Sequence, residues 1–112
     1  MAFIIRLLGA GATNPGTQTV PYSVSSASPP SLLGAIVSNI RLVNTTLNPV
    51  TANVFYRASA SPNQVRISDK DKSLAAGDIL TVKPELTMAV GDMIDVTTSA
   101  AIDYVVSGVE KV

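Results

Sequence analysis

Hydrophobic and polar positions alternate with a period of two along much of the chain, and a helical period is nearly absent. The stretch VTANVFYR, residues 50–57, is the clearest example, since Val50, Ala52, Val54 and Tyr56 fall on one face. The stretch AIVSNIRLVN, residues 35–44, is rich in branched aliphatic side chains and also predicts a strand. Asn48-Pro49 marks a turn between these two strands, so the pattern predicts a β-hairpin.

Shorter segments of the same character recur along the chain, separated by Gly, Pro, Asn and Asp. They predict strands at residues 2–8, 18–24, 64–68, 78–82, 93–98 and 102–109. The last of these is apolar on both faces, which indicates a strand covered on both sides or one that lies beside a partner. The predicted fold class is all-β: a single antiparallel β-sandwich, Ig-like or jelly-roll-like, of about seven to nine short strands with an extended N-terminal arm.

A repeated corner stands out in the second half of the chain. SLAAGDILTV, residues 73–82, aligns with TMAVGDMIDV, residues 87–96. Gly77 and Gly91 allow a positive φ, and Asp78 and Asp92 can accept hydrogen bonds from turn amides. The repeat predicts two equivalent structural corners, with Leu74 and Met88 anchored in the core just before them. A ligand or calcium role for the two aspartates is the alternative, but no further acids sit at loop spacing.

The segment of residues 13–34 is dense in Ser, Thr, Pro and Gly. Only residues 18–24 could pair as a strand there, and Pro21 would place that strand at an edge. Pro29-Pro30 stiffens the chain immediately after it. The segment predicts either a loose loop or an arm that lies on a neighbouring subunit. The predicted organisation is one domain, in which residues 1–34 form the N-terminal strand and arm and residues 35–112 form the sandwich core.

Composition narrows the classes of function. With 112 residues, 46% of them hydrophobic, the chain can form one domain with a real core. Charged residues make up only 14%, against roughly 25% in average proteins, and such a surface suits packing against other proteins. The eight basic and eight acidic residues are scattered, so no basic patch predicts nucleic-acid binding. No apolar run is long enough for a membrane helix.

The chain contains no His and no Cys, which limits the chemistry it can perform. The commonest general base, thiolate nucleophiles and the usual transition-metal ligands are all missing. A Ser–Lys hydrolase would need a Lys buried beside a Ser, and nothing in the pattern indicates one. The sequence therefore predicts a protein that is not an enzyme, with no cofactor, no metal and no small-molecule substrate.

Three local motifs favour structural interpretations over functional ones. Gly9-Ala10-Gly11-Ala12 resembles the start of a dinucleotide fingerprint but lacks its third glycine, and a glycine-rich turn is the interpretation. Residues 69–73 begin like an EF-hand loop, but Leu74 stands where the glycine should be, so a solvated charged turn is predicted. Asn44-Thr45-Thr46 fits a glycosylation sequon and is interpreted as the polar start of a loop.

Contacts with other proteins are the remaining candidate chemistry. Phe55 lies on the polar face of its strand, so it either packs under a second layer or forms an exposed contact point. A sugar platform is the weaker interpretation, because the chain has no Trp. The apolar residues that we expect at an interface are Tyr22, Leu32, Leu33 and Phe55.

The order of features over residues 35–112 resembles small β-sandwich virion proteins of tailed bacteriophages. The shared elements are AIVSNIRLVNTTLNPVTANVFYR, SLAAGDILTV, MAVGDMIDV and the closing AIDYVVSGVEKV. The resemblance implies a virion location and a capsid decoration (cement) subunit that forms homo-oligomers, for which a trimer is one arrangement, on the major capsid or tail protein. A tail or neck accessory protein, or an Ig-like adhesin or carbohydrate-binding module, is the alternative.

Overall fold

The computed structural model describes residues 3–25 and 32–112, which form ten β-strands and no helix. In chain order these are β1 (Phe3–Ala12), β2 (Thr19–Ser23), β3 (Gly34–Val43), β4 (Val50–Arg57), β5 (Gln64–Arg66), β6 (Lys72–Leu74), β7 (Ile79–Val82), β8 (Leu86–Ala89), β9 (Met93–Thr98) and β10 (Asp103–Lys111). Sheet I has the order β1-β10-β3-β7, with β8 also paired to β3. Sheet II has the order β2-β9-β4-β5, with β6 also paired to β4.

The two five-stranded sheets are antiparallel throughout and pack face to face, so the prediction of an all-β sandwich is confirmed. The range predicted for β4 from its alternation, residues 50–57, is the range observed. The strand count exceeds the expected seven to nine because β6 and β8, of three and four residues, are too short to show a period.

The predicted hairpin between residues 35–44 and 50–57 is wrong. β3 pairs with β10, β7 and β8 in sheet I, whereas β4 pairs with β9, β5 and β6 in sheet II. The intervening loop therefore carries the chain from one sheet to the other. The buried Asn44 fixes this crossing, because its amide group donates to the carbonyls of Asn48, Leu74 and Ala75. Consecutive strands in a sandwich often cross between layers in this way.

The N-terminal third is an integral part of the sandwich over its described residues. β2 pairs with β9, and the side chains of Tyr22 and Val24 lie in the core. Residues 19–25 are therefore neither a loose loop nor a free arm, and β2 lies at the edge of sheet II, where Pro21 was expected to place it. Residues 26–31, which include Pro29-Pro30, lie outside the described residues.

The glycine-rich turn predicted at residues 9–12 is also wrong, since these residues extend β1. Glycine is required there by close packing. A Cβ at Gly9 would overlap the backbone oxygen of Pro21, and a Cβ at Gly11 would lie 3.1 Å from the Tyr104 hydroxyl. Glycines inside a strand commonly mark a place where another backbone approaches closely. Here they allow β2 to lie directly against β1.

The core lies between the two sheets and is mainly aliphatic. Its largest fully buried apolar side chains are Ile40, Leu42, Met88, Ile94, Ile102, Val24, Val37, Val50, Val54, Val96 and Val106. Full burial of each such side chain contributes roughly 1.5–3 kcal/mol. Two buried hydrogen bonds also join the layers: the Tyr22 hydroxyl donates to Glu110 at 2.6 Å, and the hydroxyls of Thr13 and Thr98 lie 2.6 Å apart.

Candidate interaction surfaces

One end of the outward face of sheet I is apolar where a two-layer sandwich usually presents polar side chains. Phe3, Ile5 and Leu7 alternate along β1 and are 64%, 86% and 58% exposed. The register of β1, β10 and β3 places Ile5 beside Val109, and Val109 beside Ile36. These residues form one contiguous patch, which we call the sheet I face.

A groove of about 380 Å³ runs along one end of the sheet I face. Its walls come from β1, β3, β8 and β10 and are lined mostly by apolar groups, including Phe3, Leu33, Ile36 and Val109. Leu33 is 58% exposed, so it extends the sheet I face beyond the strands. The apolar surface and the groove adjoin, since Phe3, Ile36 and Val109 belong to both.

The outward face of sheet II has the opposite character. Asp95 is fully buried there and accepts hydrogen bonds from Arg57 Nε at 2.9 Å and Gln64 Nε2 at 2.9 Å. Gln64 also donates to the side chain of Gln18, from the segment between β1 and β2. These four side chains are thus bound to one another.

Phe55 lies in the middle of the sheet II face and is half-buried. The guanidinium carbon of Arg66 lies 4.8 Å from the centroid of its ring, within cation–π distance. Arg66 in turn donates to Asn53 Oδ1, which also accepts from the amide of Asp71. The face of the ring is therefore covered by a residue of this chain, and it does not form an open platform for a sugar.

Two of the four residues expected at an interface lie inside the molecule. Tyr22 and Leu32 are 6% and 8% exposed and belong to the core, where Tyr22 is held by Glu110. Leu33 is exposed and joins the sheet I face, while Phe55 lies on the opposite side of the sandwich. The structure does not bring the four together. Sequence reasoning missed Phe3, Ile5 and Leu7, because residues 3–8 are apolar on both faces of the strand except at Arg6.

The two predicted corners have the same backbone arrangement. Gly77 and Gly91 have φ of +82° and +92°, and Asp78 and Asp92 each accept from the amide three residues earlier. Gly77 donates to the carbonyl of Asn44, and the Asn44 amide donates to the carbonyl of Asp78. At the second corner, Val24 exchanges the equivalent two bonds with Gly91 and Asp92. Each corner thus hydrogen-bonds to the backbone of a residue that follows a strand, Asn44 after β3 and Val24 after β2.

The second corner also contains a titratable pair. Burial alone would raise the pKa of Asp92, but hydrogen bonds from the Tyr56 hydroxyl and the amides of Ala89 and Ser59 outweigh it, so the pKa is lowered. The Tyr56 hydroxyl lies 2.8 Å from Asp92 Oδ2. The hydrogen bond to this carboxylate, with a smaller contribution from burial, raises the pKa of Tyr56. The pair is a structural tie between β4 and the second corner.

Other kinds of functional site find little support in the described part of the chain. Within residues 3–25 and 32–112, no three acidic side chains lie close enough together to hold a metal ion. Asn44 of the predicted sequon is fully buried and hydrogen-bonded, so its amide is not accessible for glycosylation in this fold. The described residues contain no helix long and apolar enough to cross a membrane. The chain matches no protein-family model and no curated protein sequence.

Proposed function

We propose that the protein is a non-enzymatic structural subunit of a virion, and most specifically a decoration subunit that binds the head of a tailed bacteriophage. The observation that carries this proposal is the sheet I face, on which Phe3, Ile5 and Leu7 are all more than half exposed. Monomeric proteins rarely expose a large contiguous apolar patch, and such a patch marks a binding surface. The resemblance over residues 35–112 supplies the virion context.

The contacts of a decoration subunit can be individually weak. A shell presents many identical sites, so modest apolar contacts are multiplied when subunits also touch one another. A rigid sandwich suits this role because little conformational entropy is lost when it docks. In this proposal the partner is the major capsid protein, and the sheet I face makes the contact.

A tail or neck accessory protein would use the same apolar face, but it would be present in fewer copies per particle. A carbohydrate-binding module is less well supported, because Arg66 covers the ring of Phe55. The virion subunit is therefore the better supported proposal. The copy number per particle distinguishes a decoration subunit from a tail or neck protein.

The test is quantitative mass spectrometry of purified virus particles from the lysate in which the chain is expressed. A copy number comparable to that of the major capsid protein is expected for a decoration subunit. A small fixed number per particle would favour the tail or neck. Absence from particles that contain every other structural protein would refute the virion proposal.

The contacting face can be tested with a matched pair of variants. Ile36→Lys places a charge in the middle of the sheet I face, whereas Leu47→Lys places one in the loop between β3 and β4, where Leu47 is 93% exposed. Binding to particles that lack the protein should be lost for Ile36→Lys and retained for Leu47→Lys. Equal binding of the two folded variants would contradict the assignment of the face.

A further inference from the structure

Within residues 3–25 and 32–112, β1 is an open edge of sheet I. It pairs with β10 on one side only, and its residues Phe3–Leu7 are in unbroken register with that strand before the shift between Leu7 and Gly9. An edge strand presents a row of backbone N–H and C=O groups that can pair with another strand. Natural sheets normally interrupt or charge such edges to prevent this pairing.

The other described edges are interrupted in just these ways. The opposite edge of sheet I is split between β7 and β8 by Lys83-Pro84-Glu85, where Glu85 has a φ of +44°. In sheet II, the β2 edge contains Pro21 and a register shift, and the other edge consists of the three-residue strands β5 and β6. Among the described strands, Phe3–Leu7 of β1 is the longest edge segment without a proline, a positive φ or a register shift, and Arg6 is its one charged residue.

This edge is self-complementary. An antiparallel copy of β1 centred on Ile5 would place Ile5 opposite Ile5 of the second copy, and Phe3 opposite Leu7. All six side chains would lie on the outward face, because Phe3, Ile5 and Leu7 alternate with the inward positions. Directly opposed residues have Cβ atoms about 4.5–5.5 Å apart, close enough for the apolar pairs to pack.

The area of the sheet I face also favours a second copy. Four strand rows of about ten residues, at roughly 4.8 Å and 3.3 Å spacing, give the whole outward surface of sheet I an area on the order of 600 Å², of which the sheet I face is the apolar part. That is below the roughly 800 Å² per partner of a standard specific interface. Two sheets joined edge to edge would present a continuous face of about twice the area, which exceeds it.

We infer that the occupant of the β1 edge is a second copy of this chain, paired antiparallel through Phe3–Leu7 about a twofold axis. The inference rests on the proposed function, since it names the subunit that carries the enlarged apolar face to the shell. It replaces the trimer of the sequence-based expectation with a dimer. Because the two strands are related by a twofold axis, the contact is isologous and closes on itself.

The absence of Cys from the chain makes a clean test, since each introduced thiol is the only one in its subunit. Under mild oxidation with diamide, Ile5→Cys should form a disulfide-linked dimer, because opposed strand residues meet the geometry of a disulfide. Leu47→Cys, equally exposed but in a loop, is the control. The Ile5→Cys dimer should form about 100-fold faster at micromolar concentration, since the thiols are held at millimolar effective concentration.

A second pair of variants tests the register. Phe3→Cys mixed with Leu7→Cys should give mainly the mixed dimer, and each alone should crosslink poorly, because Phe3 and its own copy are four residue positions apart on the paired strands. Sedimentation of the unmodified chain should give a concentration-dependent dimer. A monomer at all concentrations, a trimer, or equal crosslinking of Ile5→Cys and Leu47→Cys would each overturn the inference. If no dimer is found but the protein is abundant in virus particles, the inference of a dimer is refuted and the proposed function is not.

Discussion

The two Gly-Asp corners have similar sequences and the same backbone, but they are held in place by different residues. At the corner of residues 87–96, the anchor is the aspartate itself. Asp92 is 6% exposed and accepts from the Tyr56 hydroxyl and from the amides of Ala89 and Ser59. It therefore ties the corner to β4 and to the loop that follows it.

At the corner of residues 73–82, the aspartate is exposed and accepts only from the amide of Ala75. The buried anchor is Asn44, which lies outside the repeat and binds the carbonyls of Leu74 and Ala75 from the end of β3. A repeated sequence thus specifies a repeated conformation. Which residue stabilises that conformation depends on what the fold places beside it.

The largest difference between the corners should be seen when the same substitution is made at both aspartates. Asp92→Ala leaves a part-buried hydroxyl and two part-buried amides without their acceptor and should lower the free energy of unfolding by about 2 kcal/mol. Asp78→Ala removes one exposed bond and should cost about 0.5–1 kcal/mol. Urea unfolding followed by circular dichroism measures both values.

Asn44→Ala is the matched control for this comparison. Its fully buried amide is the first corner's anchor, so the loss should be about as large as that of Asp92→Ala, roughly 2 kcal/mol. If Asp78→Ala proved more costly than Asn44→Ala, the assignment of the two anchors would be wrong.

The stability costs of replacing the two corner glycines, Gly77 and Gly91, should differ by less than those of replacing the two aspartates. Both substitutions force alanine into a positive φ, which costs about 1 kcal/mol. A Cβ at Gly77 meets no atom within 4 Å, whereas one at Gly91 would overlap the side chain of Ser59. We expect Gly77→Ala to cost about 1 kcal/mol and Gly91→Ala about 2 kcal/mol.

A double variant separates the two causes at Gly91. Ser59→Gly removes the atoms that an alanine at position 91 would meet, so Gly91→Ala should cost less in that background, approaching the value at Gly77. A cost at Gly91 that does not change when Ser59 is replaced would show that the overlap has no energetic effect.

The smallest expected effect is the pH dependence of the stability that the Tyr56–Asp92 hydrogen bond contributes. Tyr56→Phe removes the hydroxyl bond to Asp92 and should cost about 1 kcal/mol at neutral pH. The lowered pKa of Asp92 contributes stability that is present above its ordinary value of 3.8 and is lost as pH falls through the folded-state pKa. The raised pKa of Tyr56 contributes stability below 10.0 that is lost as pH rises through the folded-state pKa.

The difference in stability between the parent chain and Tyr56→Phe should therefore be largest between about pH 4 and pH 10 and should narrow on both sides. Unfolding midpoints measured across this range test the expectation. Asp78→Ala serves as the control, since its curve should run parallel to that of the parent chain above pH 10.

The sequence predicted those parts of the fold that depend on local pattern. The alternation of residues 50–57 located β4, and the glycines located two turns with positive φ. The hairpin between β3 and β4 was wrong because pattern alone does not say which sheet a strand joins. That choice is made by the buried Asn44, whose partners at Leu74 and Ala75 are about 30 residues away.

The candidate surface was harder to predict for a similar reason. Tyr22 and Leu32 were expected at an interface because they lie in a segment rich in Pro and Ser, but the pairing of β2 with β9 places Tyr22 in the core. Phe3, Ile5 and Leu7 look like core residues in sequence. They are exposed because no element of the described chain covers the outward face of sheet I, and a local pattern does not show whether a third layer is present.

The pairing of β1 with β10 has a consequence for biosynthesis. Among the described strands of sheet I, β1 pairs with β10 alone, and it meets this neighbour when β10 has left the ribosome. Until then its apolar side chains are available to chaperones and to other nascent chains. Sheets that join distant parts of a chain also fold slowly. Chaperones that cover β1 until β10 has emerged should therefore raise the yield of native protein.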